Sequence, residues 1–170
     1  MLIADDHAIL RRGLRDIIED TEEIRVVAEA ESSAEALKQL RAERCDVVLL
    51  DISMPDRNGI ETLAMIKKEQ PAVAVLMLST YPENQYAIRA IRGGAAGYLT
   101  KQSAPAQLVS AIRQVALGKK YVTPAVAEEL ARSLAQDSDR PPHELLSNRE
   151  YQTMWVTPGR ARTGRACATI

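Results

Sequence analysis

The chain has 170 residues, 46% of them hydrophobic and 26% charged, enough apolar material for one large or two small cores. Its 22 basic and 23 acidic side chains leave a formal net charge of -1, so no global field draws it to DNA or a membrane, and any nucleic-acid contact must be local. Two cysteines, Cys45 and Cys167, without a CxxC pair or a Cys/His cluster, exclude a disulfide framework and a structural zinc site. No apolar run reaches the roughly 20 residues of a bilayer span, and Asp5-Asp6 arrives before a signal-peptide core forms. A globular cytoplasmic protein with no membrane contact is expected.

From the N-terminus, short β-rich apolar runs alternate five times with amphipathic stretches, the pattern of a doubly wound α/β fold with a five-stranded parallel sheet. The strand candidates are Leu2–Ala4, Ile24–Ala30, Asp46–Asp51, Val73–Ser79 and Gly97–Thr100. The third and fourth are apolar on both pleat faces, as covered central strands require. Leu10, Leu14, Ile17 and Ile18 follow the first strand at helical spacing. The same spacing recurs in Leu37 with Leu40, Ile60 with Leu63 and Ala64, and Leu108 with Ile112 and Val115, so each set is expected to bury one stripe on the sheet. Residues 87–92 form a weaker helix ended by Gly93-Gly94, where glycine supplies a positive φ. Thr123-Pro124 opens a further short helix through Leu130 and Leu134, with Thr as N-cap and Pro at the first helical position. Residues 136–142, polar and proline-punctuated, mark a domain boundary.

In an open parallel sheet, ligands collect at the carboxyl ends of the strands. Here the first strand ends in Asp5-Asp6, the third in Asp51, the fourth in Ser79-Thr80 and the fifth in Thr100-Lys101. Three carboxylates that converge repel one another and call for a cation, and all-oxygen donors suit a hard one such as Mg²⁺. Lys101 adds a fixed positive charge. The set suits phosphoryl transfer, in which a carboxylate attacks phosphorus in line and becomes an acyl phosphate while the cation, the lysine and a hydroxyl hold the phosphoryl oxygens. Asp51 is the best nucleophile because it alone ends the most buried strand; Asp5 and Asp6 sit together as a metal-holding pair. Each residue has a plainer reading: Asp6 as a helix cap, Asp51 as a turn cap, Lys101 as a solvated charge. Their occurrence together at four strand ends favours the site. His7, with no second His or Cys to share a metal, reads as a half-exposed residue opening the helix, and His143 carries no signal.

These residues resemble a response regulator of two-component signalling, of the NarL/FixJ type. The resemblance rests on 2–7 (LIADDH), 51–59 (DISMPDRNG), 78–81 (LSTY) and 97–101 (GYLTK). It implies a flavodoxin-like receiver with strand order 2-1-3-4-5 over 1–118, a linker with a short helix over 119–145, and the start of a LuxR-type helix-turn-helix over 146–154. Asp51 is then the phosphoacceptor for a sensor histidine kinase. Asp6, Asp51 and the backbone carbonyl of Ser53 hold Mg²⁺, with Asp5 acting through water, and Ser79 and Lys101 bind the phosphoryl group. Ser79 and Tyr98 are the switch pair, Tyr98 swinging inward and remodelling the face of the fourth helix, fifth strand and fifth helix, through which homodimers or heterodimers form. Such a protein catalyses its own phosphorylation and dephosphorylation and is not otherwise an enzyme.

The family's output is transcription regulation. Residues 155–170 carry three of the 22 basic residues, Arg160, Arg162 and Arg165, and none of the 23 acidic ones, without apolar periodicity. They read as a disordered tail foreign to the family, as from a frameshift or an engineered truncation. The helix that enters the major groove is therefore expected to be missing, and specific DNA binding with it. A haloacid dehalogenase-like aspartyl-phosphate phosphatase needs Asp-x-Asp after the first strand, where this chain has an adjacent pair, and Ser53 stands where its second acid is required. A phosphate-independent pseudo-receiver is at odds with the full acidic set and Lys101.

Overall fold

In the computed structural model, residues 1–81 and 83–135 are described. Five parallel strands, β1 (Leu2–Ala4), β2 (Ala28–Ala30), β3 (Val47–Asp51), β4 (Ala74–Ser79) and β5 (Gly97–Thr100), alternate with helices α1 (Ala8–Glu19), α2 (Ser33–Ala42), α3 (Gly59–Glu69), α4 (Glu83–Arg92) and α5 (Pro105–Ala116). The sheet order is β2-β1-β3-β4-β5, the doubly wound order expected of a receiver. The helix α6 (Pro124–Ala135) follows. The chain divides after Ser138, and the expected helix-turn-helix start over 146–154 and tail over 155–170 lie outside the described residues.

Register explains how the strands build both core and site. Ile3, Leu49 and Leu76 are paired across the sheet, and the next row is Ala4, Leu50, Met77 and Tyr98. Side chains alternate between faces along each strand. Ile3, Leu49, Leu76, Leu78 and Leu99 therefore share a face and pack with Leu14 and Ile18 of α1 and Leu108, Ala111, Ile112 and Val115 of α5. All five residues of β3 are buried, as covered central strands demand.

The helices start where side chains satisfy orphan N–H groups. Ser32 caps α2 by accepting from the Glu35 N–H, and Asn58 caps α3 by accepting from the Ile60 N–H at 2.8 Å. At α5, Pro105 takes the first position and Gln107 accepts from the Ala104 N–H at 3.2 Å.

Three expectations change. The second strand is Ala28–Ala30 rather than Ile24–Ala30, because β1 offers only Leu2–Ala4 as partners and pairs Leu2 with Ala28. Ala64 is exposed, and Ile66 takes its place on the buried stripe of α3 with Ile60 and Leu63. The fourth helix starts at Glu83, not at residue 87. It ends as foreseen in glycine, with Gly94 at φ +95°.

The first residues of the linker take part in the receiver's packing. Tyr121 donates its N–H to the Ala96 carbonyl at 2.8 Å and bridges to Gly97, beside the outer edge of β5. A Cβ at Gly97 would stand 2.7 Å from the Tyr121 carbonyl oxygen, so glycine permits this approach. Lys120 Nζ donates to the Ala95 carbonyl, Val126 is buried, and α6 packs on α4. Among the described residues no helix is long and apolar enough to cross a membrane. Cys45 is free and buried, which pushes its thiol up, away from the reactive thiolate.

Candidate functional site

The sheet's hydrogen-bond ladder continues past the strand ends and carries the polar residues with it. Asp5 donates its N–H to Ala30, Ile52 to Leu78 and Lys101 to Ser79. Because Ala4 is paired with Leu50, Asp5 and Asp51 emerge side by side, and Lys101 enters from beyond β5. Its Nζ sits 2.7 Å from Oδ2 of Asp5 and 2.7 Å from Oδ2 of Asp51. Arg11 of α1 donates to the Asp5 carbonyl at 2.6 Å, fixing the end of β1.

Two buried carboxylates share one buried ammonium, and their electrostatics follow. The Asp51 carboxyl lies above its ordinary value because burial penalises the charge and outweighs the help of Lys101, while Asp5 adds repulsion. Burial works to lower Lys101, but its bonds to Asp5 and Asp51 outweigh that and raise it, so it stays charged. The other Asp51 oxygen, Oδ1, is buried without a hydrogen-bond partner. An open acceptor in that position costs about 1–3 kcal/mol. Asp6, less buried, faces the same space, and one oxygen from each of Asp5, Asp6 and Asp51 and one ring nitrogen of His7 lie within 4.8 Å of one another. Three carboxylates against one ammonium, with an open buried oxygen, fit a hard divalent cation.

The loop after β3 is closed by a bridge between Ser53 and Asn58 and by the Gly59 N–H on the Ile52 carbonyl at 2.8 Å. Ser53 thus stands beside Asp51 on a loop with a defined path. A Cβ on Gly59 would fall 2.1 Å from the Asp51 carbonyl oxygen, so only glycine lets α3 start so close to the site.

Ser79 is fully buried at the end of β4, one position beyond Leu78, the partner of Asp51. Its Oγ accepts from the Tyr81 N–H at 3.0 Å. Tyr98 is 2% exposed, and its hydroxyl donates to the Tyr81 carbonyl at 3.0 Å. Ser79 and Tyr98 thus hold the backbone of Tyr81 from its two sides, one at the N–H and one at the carbonyl, and the Tyr81 ring centroid lies 5.0 Å from that of Tyr86 on α4. This joint was not apparent from the sequence, which places Tyr81 in a loop without periodicity. The acidic residues and Lys101 meet directly, whereas Ser79 and Tyr98 are joined through Tyr81.

Residues 1–113 match the response regulator receiver domain family. Response regulator UvrY of Escherichia coli O6:H1 is 40% identical over 161 residues, 94% of this chain and 74% of its own length. Response regulator GacA of Pseudomonas viridiflava is 36% identical over 160 residues, 94% of this chain and 75% of its own. A crystal structure of a LuxR-family two-component response regulator from Aurantimonas sp. SI85-9A1 superposes with a TM-score of 0.72 at 35% identity, covering 79% of this chain and 96% of that one. With its parallel sheet in the order 2-1-3-4-5 and three aspartates converging at the strand ends, this chain belongs to the response regulator receiver family of two-component signalling, of the NarL/FixJ type.

Proposed function

We propose that Asp51 accepts a phosphoryl group from the phosphohistidine of a sensor kinase and that the resulting acyl phosphate switches the face made by α4, β5 and α5. The carrying observation is the state of the Asp51 carboxylate, buried, with Oδ2 held by Lys101 and Oδ1 open. In this reading one Asp51 oxygen forms the new bond to phosphorus, while the other stays with the cations, as the phosphorus–nitrogen bond to the kinase imidazole breaks and the electron pair leaves on that nitrogen. Asp6, Asp51 and the Ser53 carbonyl hold Mg²⁺, with Asp5 acting through water. Bound there, the ion neutralises phosphoryl oxygens. Lys101 follows the incoming charge, and Ser79 turns its hydroxyl from the Tyr81 N–H toward the phosphoryl group.

The Tyr81 backbone then loses its N–H partner and keeps only the Tyr98 bond at its carbonyl, which alters the footing of Tyr98 and α4. Because α6 packs on α4 and Tyr121 borders β5, the change reaches the linker directly. The chain catalyses its own phosphorylation and dephosphorylation and works in the cytoplasm. Pairing runs through the receiver, as homodimer or as heterodimer with other regulators. Residues 155–170 carry three arginines, no acidic residue and no apolar periodicity, which is not the pattern of a base-reading helix, and on this reading a gel shift of the phosphorylated chain against promoter fragments should show no fragment bound above random DNA.

Intact-mass measurement with a small acyl-phosphate donor and Mg²⁺ tests the acceptor. One added phosphate in the natural chain and none in Asp51→Asn is the expected result; an equal gain in the Asn variant overturns the assignment.

A further inference from the structure

The β1–α1 junction brings one more donor to the acidic cluster. His7 is the N-cap of α1, yet its side chain makes no capping hydrogen bond. Its Nδ1 lies instead 2.7 Å from Oδ1 of Asp6 and 3.1 Å from Oδ1 of Asp5. The His7 backbone N–H donates to the same Asp5 oxygen at 2.9 Å, so the main chain that carries the ring is tied to the cluster. An independent observation asks for a cation at this place: Asp51, with a side chain 1% exposed, keeps Oδ1 buried and without a hydrogen-bond partner.

We propose that His7 is a ligand of the divalent ion held by Asp6 and Asp51, making this a mixed nitrogen–oxygen site that takes borderline first-row ions such as Mn²⁺, Co²⁺, Ni²⁺ or Zn²⁺ as well as Mg²⁺. The inference rests on reading the acidic pocket as a divalent-ion site. Imidazole suits these ions, while Mg²⁺ is served by carboxylate, carbonyl and water and gains little from nitrogen. The geometry is close to a ligand shell. Donors on opposite sides of an ion with bonds of about 2.0–2.2 Å stand about 4.4 Å apart, and the four candidate atoms lie within 4.8 Å of one another. Without an ion, Nδ1–H donates to the Asp5 and Asp6 carboxylates; to bind a metal the ring must release that proton and ligate as neutral imidazole, with Nδ1 on the metal and the remaining proton on Nε2. With the His7 side chain 64% exposed, that proton faces water and needs no protein acceptor.

The chain has two histidines, His7 and His143, so the imidazole ¹⁵N spectrum of the full chain is simple, and His7→Gln assigns it. Titration with Zn²⁺ should move the His7 ring nitrogens, and Asp6→Ala should abolish the movement, whereas Mg²⁺ should leave them nearly in place. In His7→Gln, Zn²⁺ affinity should fall about tenfold or more, the usual scale for losing support at a metal site, with a much smaller loss for Mg²⁺. Zn²⁺ that binds without moving the His7 nitrogens, fails to bind, or weakens in step with Mg²⁺ in the Gln variant overturns the proposal. Mg²⁺-dependent phosphorylation of the natural chain is scored separately. If it proceeds while the nitrogens stay still, only the role of His7 fails; if it is absent while they move, the phosphoacceptor reading fails and the metal ligand stands.

Discussion

Two aspartates five residues apart, one ending β3 and one within the loop that follows it, have opposite surroundings. Asp51 is buried, shares one ammonium with Asp5, keeps one oxygen open and is pushed up by burial. Asp56 is exposed, and both its oxygens are taken: Oδ1 accepts from the Ser33 N–H and Oδ2 from the Ala34 N–H, each at 2.9 Å, at the start of α2. Burial works against the Asp56 charge, but these N–H groups and the helix terminus outweigh it and hold the carboxyl below its ordinary value. Around it Thr62 Oγ1 donates to Ser33 Oγ at 2.6 Å, which donates to the Arg57 carbonyl. A complete network fixes a position, whereas an incomplete one leaves room for chemistry. The loop is clamped by Asp56 so that Asp51 and Ser53 can present an unfinished site.

The largest effect on this contrast should come from Lys101→Ala. It leaves two buried carboxylates without their shared cation, a change of about 3–5 kcal/mol. Urea denaturation should show a loss on that scale, partly restored by millimolar Mg²⁺. A loss no larger than that of an exposed lysine would mean the pocket is far wetter than its burial indicates.

Gly59→Ala tests the loop from the α3 side. A Cβ 2.1 Å from the Asp51 carbonyl oxygen forces backbone to move. Destabilisation of about 1–3 kcal/mol is expected, together with slower phosphorylation by a small donor, because the displaced atoms belong to Asp51 itself. A variant equally destabilised elsewhere in the core should not slow the phosphorylation of its folded fraction.

Asp56→Ala should cost about 1 kcal/mol at neutral pH, the scale of a lost helix cap. The folded Asp56 titrates below its ordinary value of 3.8. Its contribution is therefore fully present above that value and disappears as pH falls through the lower, folded one. The stability gap between natural chain and variant, followed by thermal melts, should be constant near neutrality and close below pH 3.8. A gap that widens in acid would reverse the assignment.

The smallest effect belongs to Tyr98→Phe. It deletes the hydrogen bond to the Tyr81 carbonyl, worth about 0.5–1.5 kcal/mol, and leaves the ring in place. Amide exchange should speed at Tyr81 and along the start of α4 while β3 is unaffected; an unchanged rate there would disconnect Tyr98 from the joint with Ser79.

Much of this was legible in the linear order of residues. Apolar runs of strand length separated by helical stripes specify β1, β3, β4 and β5 nearly to the residue, because central strands covered on both faces leave an unbroken hydrophobic signature. The edge strand β2 was overextended because Ile24 to Val27 have strand-like composition but lack a partner beyond Met1. Ala64 was taken for a core residue on spacing alone, where the rotation of α3, set by Leu63 and Ile66, turns it to water. At the site, Asp5, Asp6, Asp51, Ser79 and Lys101 were apparent because chemistry in this fold gathers at strand ends. Asp56 and Tyr81 were not, since Asp56 acts on backbone N–H groups far away in sequence and Tyr81 through its own backbone, which any residue carries.

The order of residues by itself determined the sheet's composition, its winding and the identity of the residues at its carboxyl edge, because hydrophobic periodicity and strand termini are local properties. Tertiary structure decided the charge state and freedom of those residues. The β1–β3 register sets Asp5 beside Asp51. The ladder past β5 delivers Lys101 to both, and burial raises one carboxyl while the start of α2 lowers another. It also decided that the linker begins on the sheet, with Tyr121 against Gly97 and α6 on α4. Whether a carboxylate is satisfied depends on which distant groups packing brings within about 3 Å, and no local pattern encodes that distance.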